Sequence, residues 1–145
     1  MTTTFPELVF YVPAGQPTST RVAVAEAREG EARGLGTAFV SERYNLKEAA
    51  VLCGAVGAVT ERIRIQTATT NHNTRHPMVT AGIARTMQSL TGGRFVLGIG
   101  RGIPGAQDAH GIPRITTAQM EDFAGIMRQL FRGKPVIGHN GPAGS

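Results

Sequence analysis

Apolar residues gather into four short runs along this chain, each followed by a longer stretch with helical spacing. The runs are Leu8–Pro13 (LVFYVP), Thr37–Val40 (TAFV), Ile63–Ala68 (IRIQTA) and Arg94–Gly98 (RFVLG). They are nearly continuous rather than alternating, the pattern of strands buried on both faces of a parallel sheet.

The intervening stretches carry helix punctuation. The first helix opens near Thr18-Ser19-Thr20 and runs through VAVAEAREGEAR to Gly34, placed as a C′ glycine. Asn45 is placed to cap the second, LKEAAVLCGAVGAVTE, in which Leu46, Ala49, Ala50, Cys53, Val56 and Gly57 share one face. The third begins at Pro77, the favoured first helical position, and stops at Gly92-Gly93. A polar loop spans Gly100 to Arg114. Thr116-Thr117-Ala118-Gln119 then forms a capping-box pattern, with Ile115 and Met120 as a hydrophobic staple, and that helix ends at Arg132-Gly133-Lys134-Pro135. The tail VIGHNGPAGS has a hairpin signal at Asn140-Gly141 but no second strand. Strands alternating with helices predict an α/β fold with ligands at the carboxyl ends of the strands.

Composition narrows this only slightly. At 145 residues and 41% hydrophobic content, one domain with a real core is expected. No stretch is apolar enough to span a bilayer, and the N-terminus lacks a secretory signal pattern. The single cysteine, Cys53, fits a reducing cytoplasm. Thirteen of the 15 basic residues are arginines, scattered, without interleaved aromatics and with no tryptophan, which argues against nucleic acid. The net charge of +5 would equally suit an anionic small ligand.

Three segments carry candidate chemistry. Gly100-Arg101-Gly102-Ile103-Pro104-Gly105 matches G-x-G-x-x-G after a strand, so a nicotinamide-binding Rossmann turn is one reading. Close approach of backbone to a ligand is another, and a sharp strand exit without function is a third. The run Thr67-Ala68-Thr69-Thr70-Asn71-His72-Asn73-Thr74 offers hydroxyls and amides that could orient a cofactor or simply satisfy loop backbone. After the second strand, Arg43 could stabilise negative charge and Tyr44 could donate a proton or stack on a ring; a structural polar cluster with Glu42 is the plainer alternative. His72 and His76 lead into Pro77 rather than lying on one helix, so no metal site is expected. His76 reads as a neighbour of a helix cap, His110 and His139 as loop residues, and Cys53 as a small core residue.

Taken in order, S-E-R-Y-N, R-H-P, L-T-G-G-R and G-I-G-R-G resemble the N-terminal part of the luciferase-like monooxygenase superfamily, most of all its coenzyme F420-dependent oxidoreductases. The likeness runs from Leu8 to the Gly141–Gly144 tail. It implies the first half, four βα units, of a TIM-like (β/α)8 barrel as a single domain truncated at its C-terminus. A barrel of this kind needs about 250 residues. It also implies hydride transfer between F420, or alternatively FMN, and a small organic substrate. Arg43 and Tyr44 would be the catalytic residues; Thr67, Ala68, Thr69, Gly100, Arg101 and Gly102 would lie against the cofactor. A non-prolyl cis peptide would bulge towards the ring at Thr67–Ala68. Many members have histidine where this chain has Arg43, and arginine cannot shuttle protons at neutral pH. The phosphate grip belongs to the second half of such barrels. Two open sheet edges imply a homodimer or higher oligomer, or else a non-catalytic half-barrel serving as an assembly module.

Overall fold

The chain is described here by a computed structural model covering residues 4–144. Strands and helices follow in the order β1 (Phe5–Tyr11), α1 (Val22–Ala32), β2 (Leu35–Val40), α2 (Ala49–Ala58), β3 (Arg64–Thr67), β4 (Thr70–Asn71), α3 (Pro77–Leu90), β5 (Phe95–Val96), β6 (Ile99–Gly100), α4 (Pro104–Ala109) and α5 (Thr117–Phe131). The sheet has the order β1-β2-β3-β5 and every pairing in it is parallel. β4 and β6 pair with each other, also in parallel, just beyond the ends of β3 and β5. This is the expected α/β arrangement of four βα units in the first half of a TIM-like barrel, with the third and fourth strands each interrupted once.

The core forms where small helix residues meet branched strand residues. Ala23 and Ala27 of α1, with Cys53 and Val56 of α2, pack against Ala38, Val40, Ile65 and Phe95. The short side chains let the helices sit close to the sheet, and each Val or Ile so buried contributes roughly 1.5–3 kcal/mol. A second cluster joins Ala81 of α3 to Phe123, Ile126 and Met127 of α5. Burial pushes the Cys53 thiol up to about 12, consistent with its reading as a core residue.

Three sequence expectations change. β1 is not buried on both faces: Phe5, Leu8, Val9 and Tyr11 are exposed, because β1 borders the sheet and no further strand among the described residues pairs with it. The second helix starts at Ala49 rather than Leu46, with Glu48 instead of Asn45 as its cap, accepting from Val51 N at 2.7 Å. Residues 43–47 are diverted into a turn by reciprocal bonds, Arg43 N to Lys47 O at 3.1 Å and Lys47 N to Arg43 O at 2.8 Å. Within the polar segment after the fourth strand lies α4, begun by Pro104 at its first turn. The capping box at Thr116 and Gln119 forms as expected.

At the amino-terminal edge of the sheet, Arg94 ties three elements together. Its Nε donates to Thr91 O at 2.9 Å, Nη1 to Ile63 O at 2.7 Å and Nη2 to Thr60 O at 2.7 Å. Nearby, the Glu31 carboxylate accepts the backbone N–H groups of Glu61, Arg62 and Ile63. Partial burial alone would raise its pKa, but these donors outweigh that and hold it below the usual range. No helix among the described residues is long and apolar enough to cross a membrane.

Gly98 sits between β5 and β6, and its lack of a side chain permits a close approach: a Cβ there would overlap the Thr67 carbonyl. Gly98→Ala is therefore expected to lower stability by about 1–3 kcal/mol in urea denaturation. Gly54→Ala, mid-helix in open space, is expected to raise it by up to about 1 kcal/mol. Because the folded-state pKa of Glu31 is depressed, its contribution is present above the ordinary value of 4.5 and lost as pH falls through the folded value. Glu31→Gln should accordingly cost stability at pH 7 and flatten the decline on the acid side; an unchanged acid limb would show that the carboxylate does not hold this corner.

Candidate functional site

A cleft of about 650 Å³ opens over the carboxyl ends of β1, β2 and β3. Tyr11 lines it from β1, Glu42, Arg43, Tyr44 and Lys47 from the segment after β2, and Ala68 and Thr69 from the step between β3 and β4. Gly102 and His110 approach from the far side.

The step after β3 is built by opposing hydrogen bonds. Thr67 pairs with Val40, and Ala68 N donates to Val40 O at 2.8 Å, so the ladder runs through Ala68. The chain then leaves the sheet, and the Ala68–Thr69 peptide is cis. This lies one bond beyond the expected Thr67–Ala68 position, because Thr67 is still held in the ladder. Pairing resumes where Thr70 N donates to Gly98 O at 3.0 Å, and Thr69 O accepts from Glu42 N at 3.1 Å.

Glu42 anchors the loop rather than facing a ligand. Its side chain is 3% exposed and accepts from Ala49 N at 3.0 Å, Thr70 Oγ1 at 2.8 Å and Arg75 Nη2 at 2.9 Å. Arg75 also bonds Thr70 Oγ1 at 2.8 Å and pairs with Glu48. This is a satisfied structural cluster of opposite charges.

Tyr44 behaves differently. Its hydroxyl donates to Asn71 Oδ1 at 2.5 Å, and Asn71 Nδ2 donates to Gly100 O at 2.8 Å, which ties the second strand's loop to the fourth strand. Burial raises the phenol pKa, the Glu42 anion adds to this, and Arg75 opposes it. Tyr44 thus keeps its proton at neutral pH and acts as a donor. The His110 ring meets the Tyr44 ring edge-on at 5.8 Å. Lys47 is 6% exposed, and its Nζ donates to Val12 O and Pro13 O, both at 3.3 Å. Burial lowers its pKa, as does the nearby Arg43, while Glu26 works in the opposite direction.

Of the residues singled out from the sequence, Arg43, Tyr44, Ala68, Thr69 and Gly102 come together in this cleft. Thr67, Gly100 and Arg101 stand behind it. Thr67 is 1% exposed, and its hydroxyl both donates to Gly98 O and accepts from Gly98 N at 2.8 Å. Gly100 backs onto the Thr69 side chain. Arg101 turns away, donating from Nε to Ile115 O at 2.8 Å and from Nη1 to Thr117 Oγ1 at 3.3 Å. Gly102, with φ +80°, lies where a Cβ would crowd Gln107 and Asn71. Close packing against side chains thus accounts for Gly100 and Gly102 of the G-x-G-x-x-G match, while Gly105 stands in open space.

Sequence reasoning missed Lys47 and His110 and did not separate Asn71 from its polar run. Lys47 is one of only two lysines among 15 basic residues, which was the available signal. His76 is itself the cap of α3, accepting from Met78 N at 3.2 Å. His72 is buried, stacked on Phe123 at 4.9 Å, and its pKa is lowered by burial. His139 bonds the Asp122 carboxylate at 2.9 Å rather than standing free in a loop. Among the described residues no group of three or more His, Cys, Asp or Glu side chains is placed to hold a metal.

The luciferase-like monooxygenase family model matches residues 8–143. The 5,10-methylenetetrahydromethanopterin reductase of Methanopyrus kandleri is 28% identical over 131 residues, covering 87% of this chain and 37% of that protein. The same-named protein of Methanolobus tindarius is 29% identical over 112 residues, covering 76% and 34%. The chain therefore spans little more than a third of these relatives' length. In fold it is similar to the coenzyme F420-dependent tetrahydromethanopterin reductase of M. kandleri, with TM-score 0.73 and 21% identity over 92% of this chain and 42% of that one. It is also similar to the oxygenating constituent of 3,6-diketocamphane monooxygenase from Pseudomonas putida, solved with FMN, with TM-score 0.76 and 23% identity over 93% and 42%.

Removing the Glu42 charge leaves Arg75 short of one of its two carboxylates. Glu42→Gln is expected to destabilise the protein by about 3 kcal/mol in urea denaturation and to speed hydrogen exchange at the Ala49 amide. Exchange at Ala49 as slow as in the parent would show that the cluster does not hold the loop.

Proposed function

The chain belongs to the luciferase-like monooxygenase family, and on that footing we propose that its cleft is the ring-facing wall of an oxidoreductase site. The reaction is hydride transfer between coenzyme F420 and a small organic substrate, with FMN as the alternative cofactor. The observation that carries this reading is the Ala68–Thr69 step, which stands out of a parallel sheet at its carboxyl ends between Tyr44 and Gly102. Ligands of open and closed α/β sheets bind at this edge.

The residues fit a flat conjugated ring. The cleft lies within the usual cofactor range of about 300–1,000 Å³, and Ala68 and Gly102 present backbone without bulk. When bound, the deazaflavin or flavin supplies the hydride chemistry. Ala68 and Thr69 set the ring's position from one face. Tyr44 keeps its hydroxyl proton in the bond to Asn71 Oδ1 and would yield it to a ligand only by exchanging that bond. Arg43 stabilises negative charge and shuttles no proton at neutral pH. Thr67, Gly100 and Arg101 act from behind, keeping the wall in place.

Because β1 is exposed, a second reading is kept: a half-barrel that serves in assembly, as a homodimer or larger oligomer, without catalysis. Absorbance titration with F420 and fluorescence titration with FMN, run beside light scattering, separates the two. Saturable binding of either cofactor is expected. A folded protein that binds neither would overturn the oxidoreductase reading in favour of assembly.

A further inference from the structure

The cations in and around the cleft differ from those that hold the fold. Arg75, Arg33 and Arg114 each pair with a carboxylate, and Arg94 is consumed by backbone carbonyls. Arg43 and Lys47 face the cleft and form no ion pair among the described residues. The Arg43 guanidinium makes no hydrogen bond there either.

Lys47 is the more telling of the two. Its ammonium is buried, yet its hydrogen-bond partners among the described residues are two neutral carbonyls at 3.3 Å. Charge-assisted bonds normally close to about 2.7–2.9 Å, and an ammonium has three donors, so one remains for a ligand. Glu26 attracts it from beyond bonding distance, and the carboxylates of Glu26 and Glu42 are otherwise engaged. Glu42 is held by Arg75 and Thr70, and Glu26 accepts from Ala14 N at 3.0 Å. A buried cation with no counter-ion in bonding contact is costly. The reciprocal backbone bonds between Arg43 and Lys47 fix both side chains on one turn, so their repulsion is built into the loop.

We propose that Arg43 and Lys47 form a subsite for a carboxylate of the small substrate. The guanidinium fork matches a carboxylate in two bonds, and the free ammonium donor completes its charge. A phosphate would normally recruit a nest or long-helix terminus of backbone N–H groups as well. Assigning the carboxylate to the substrate rests on the oxidoreductase reading of the cleft; the anion site itself does not.

The test is an NMR titration of the chain with benzoate, with benzamide as its neutral counterpart, with inorganic phosphate, and with benzoate again under saturating FMN. Benzoate is expected to shift the amides of residues 43–47 and to bind at least about tenfold more tightly than benzamide. Arg43→Gln and Lys47→Gln should each weaken benzoate about tenfold, and FMN should leave its affinity unchanged. Arg43 is exposed, so Arg43→Gln remains informative should Lys47→Gln not fold. Equal binding of benzoate and benzamide, or full affinity in folded Arg43→Gln, would overturn the subsite. Tighter binding of phosphate would overturn the carboxylate assignment, and displacement by FMN would give the anion site to the cofactor. Benzoate binding needs no cofactor, so a failure to bind F420 or FMN would remove the oxidoreductase reading while this readout stood.

Discussion

The approach of Gly98 to Thr67 is the constraint on which the cleft depends. With no side chain at Gly98, the backbone of the fourth strand reaches the end of β3, where the Thr67 hydroxyl takes both its N–H and its C=O. These two bonds stand in for ladder pairing at the level where both strands are interrupted. Past that point β4 and β6 pair afresh, and Ala68–Thr69 is left standing towards the open side. The link from Tyr44 through Asn71 to Gly100 exists only because β6 is held at this distance. A wall for a flat ligand is thus made by backbone placement first and by side chains second.

Charge is distributed in the same spirit. Glu42, Arg75, Thr70 and Glu48 satisfy one another behind the cleft and hold its loop. Arg43 and Lys47, four residues apart on that loop, line the cleft and form no ion pair among the described residues. Paired charges stabilise a fold only modestly, whereas an unpaired one in a recess creates a field that a ligand can use. The loop after β2 therefore does two jobs, with Glu42 and Glu48 anchoring its ends and Arg43 and Lys47 between them facing the cleft.

β1 shows what the four units leave incomplete. Phe5, Leu8, Val9 and Tyr11 are exposed along the sheet border, while β2 and β3 bury Ala38, Val40 and Ile65 in the core. Exposed apolar strands at an edge favour pairing with further strands. Tyr11 belongs both to this border and to the cleft, so whatever covers β1 also shapes the site.

Signals that act over a few residues were legible in the sequence. Thr116 and Gln119 close their capping box, Pro77 starts its helix and Gly92 ends it, because each depends on bonds or dihedral angles within one turn. The order of strands and helices was legible for a related reason, since hydrophobic periodicity is set by each element's own geometry. Glu48 displaced Asn45 as a cap because the Arg43–Lys47 turn and the Glu42 bond to Ala49 N took up the residues before it. α4 is only six residues long, too short to show a period. The direction of Arg101, the burial of Lys47 and the arrival of His110 beside Tyr44 rest on contacts between residues far apart in the chain. Sequence alone thus determined that a site would form at the strand ends and supplied Arg43, Tyr44, Ala68, Thr69 and Gly102 to it. Tertiary structure decided which of the candidates face it, because side-chain direction follows from packing across elements rather than from position along one.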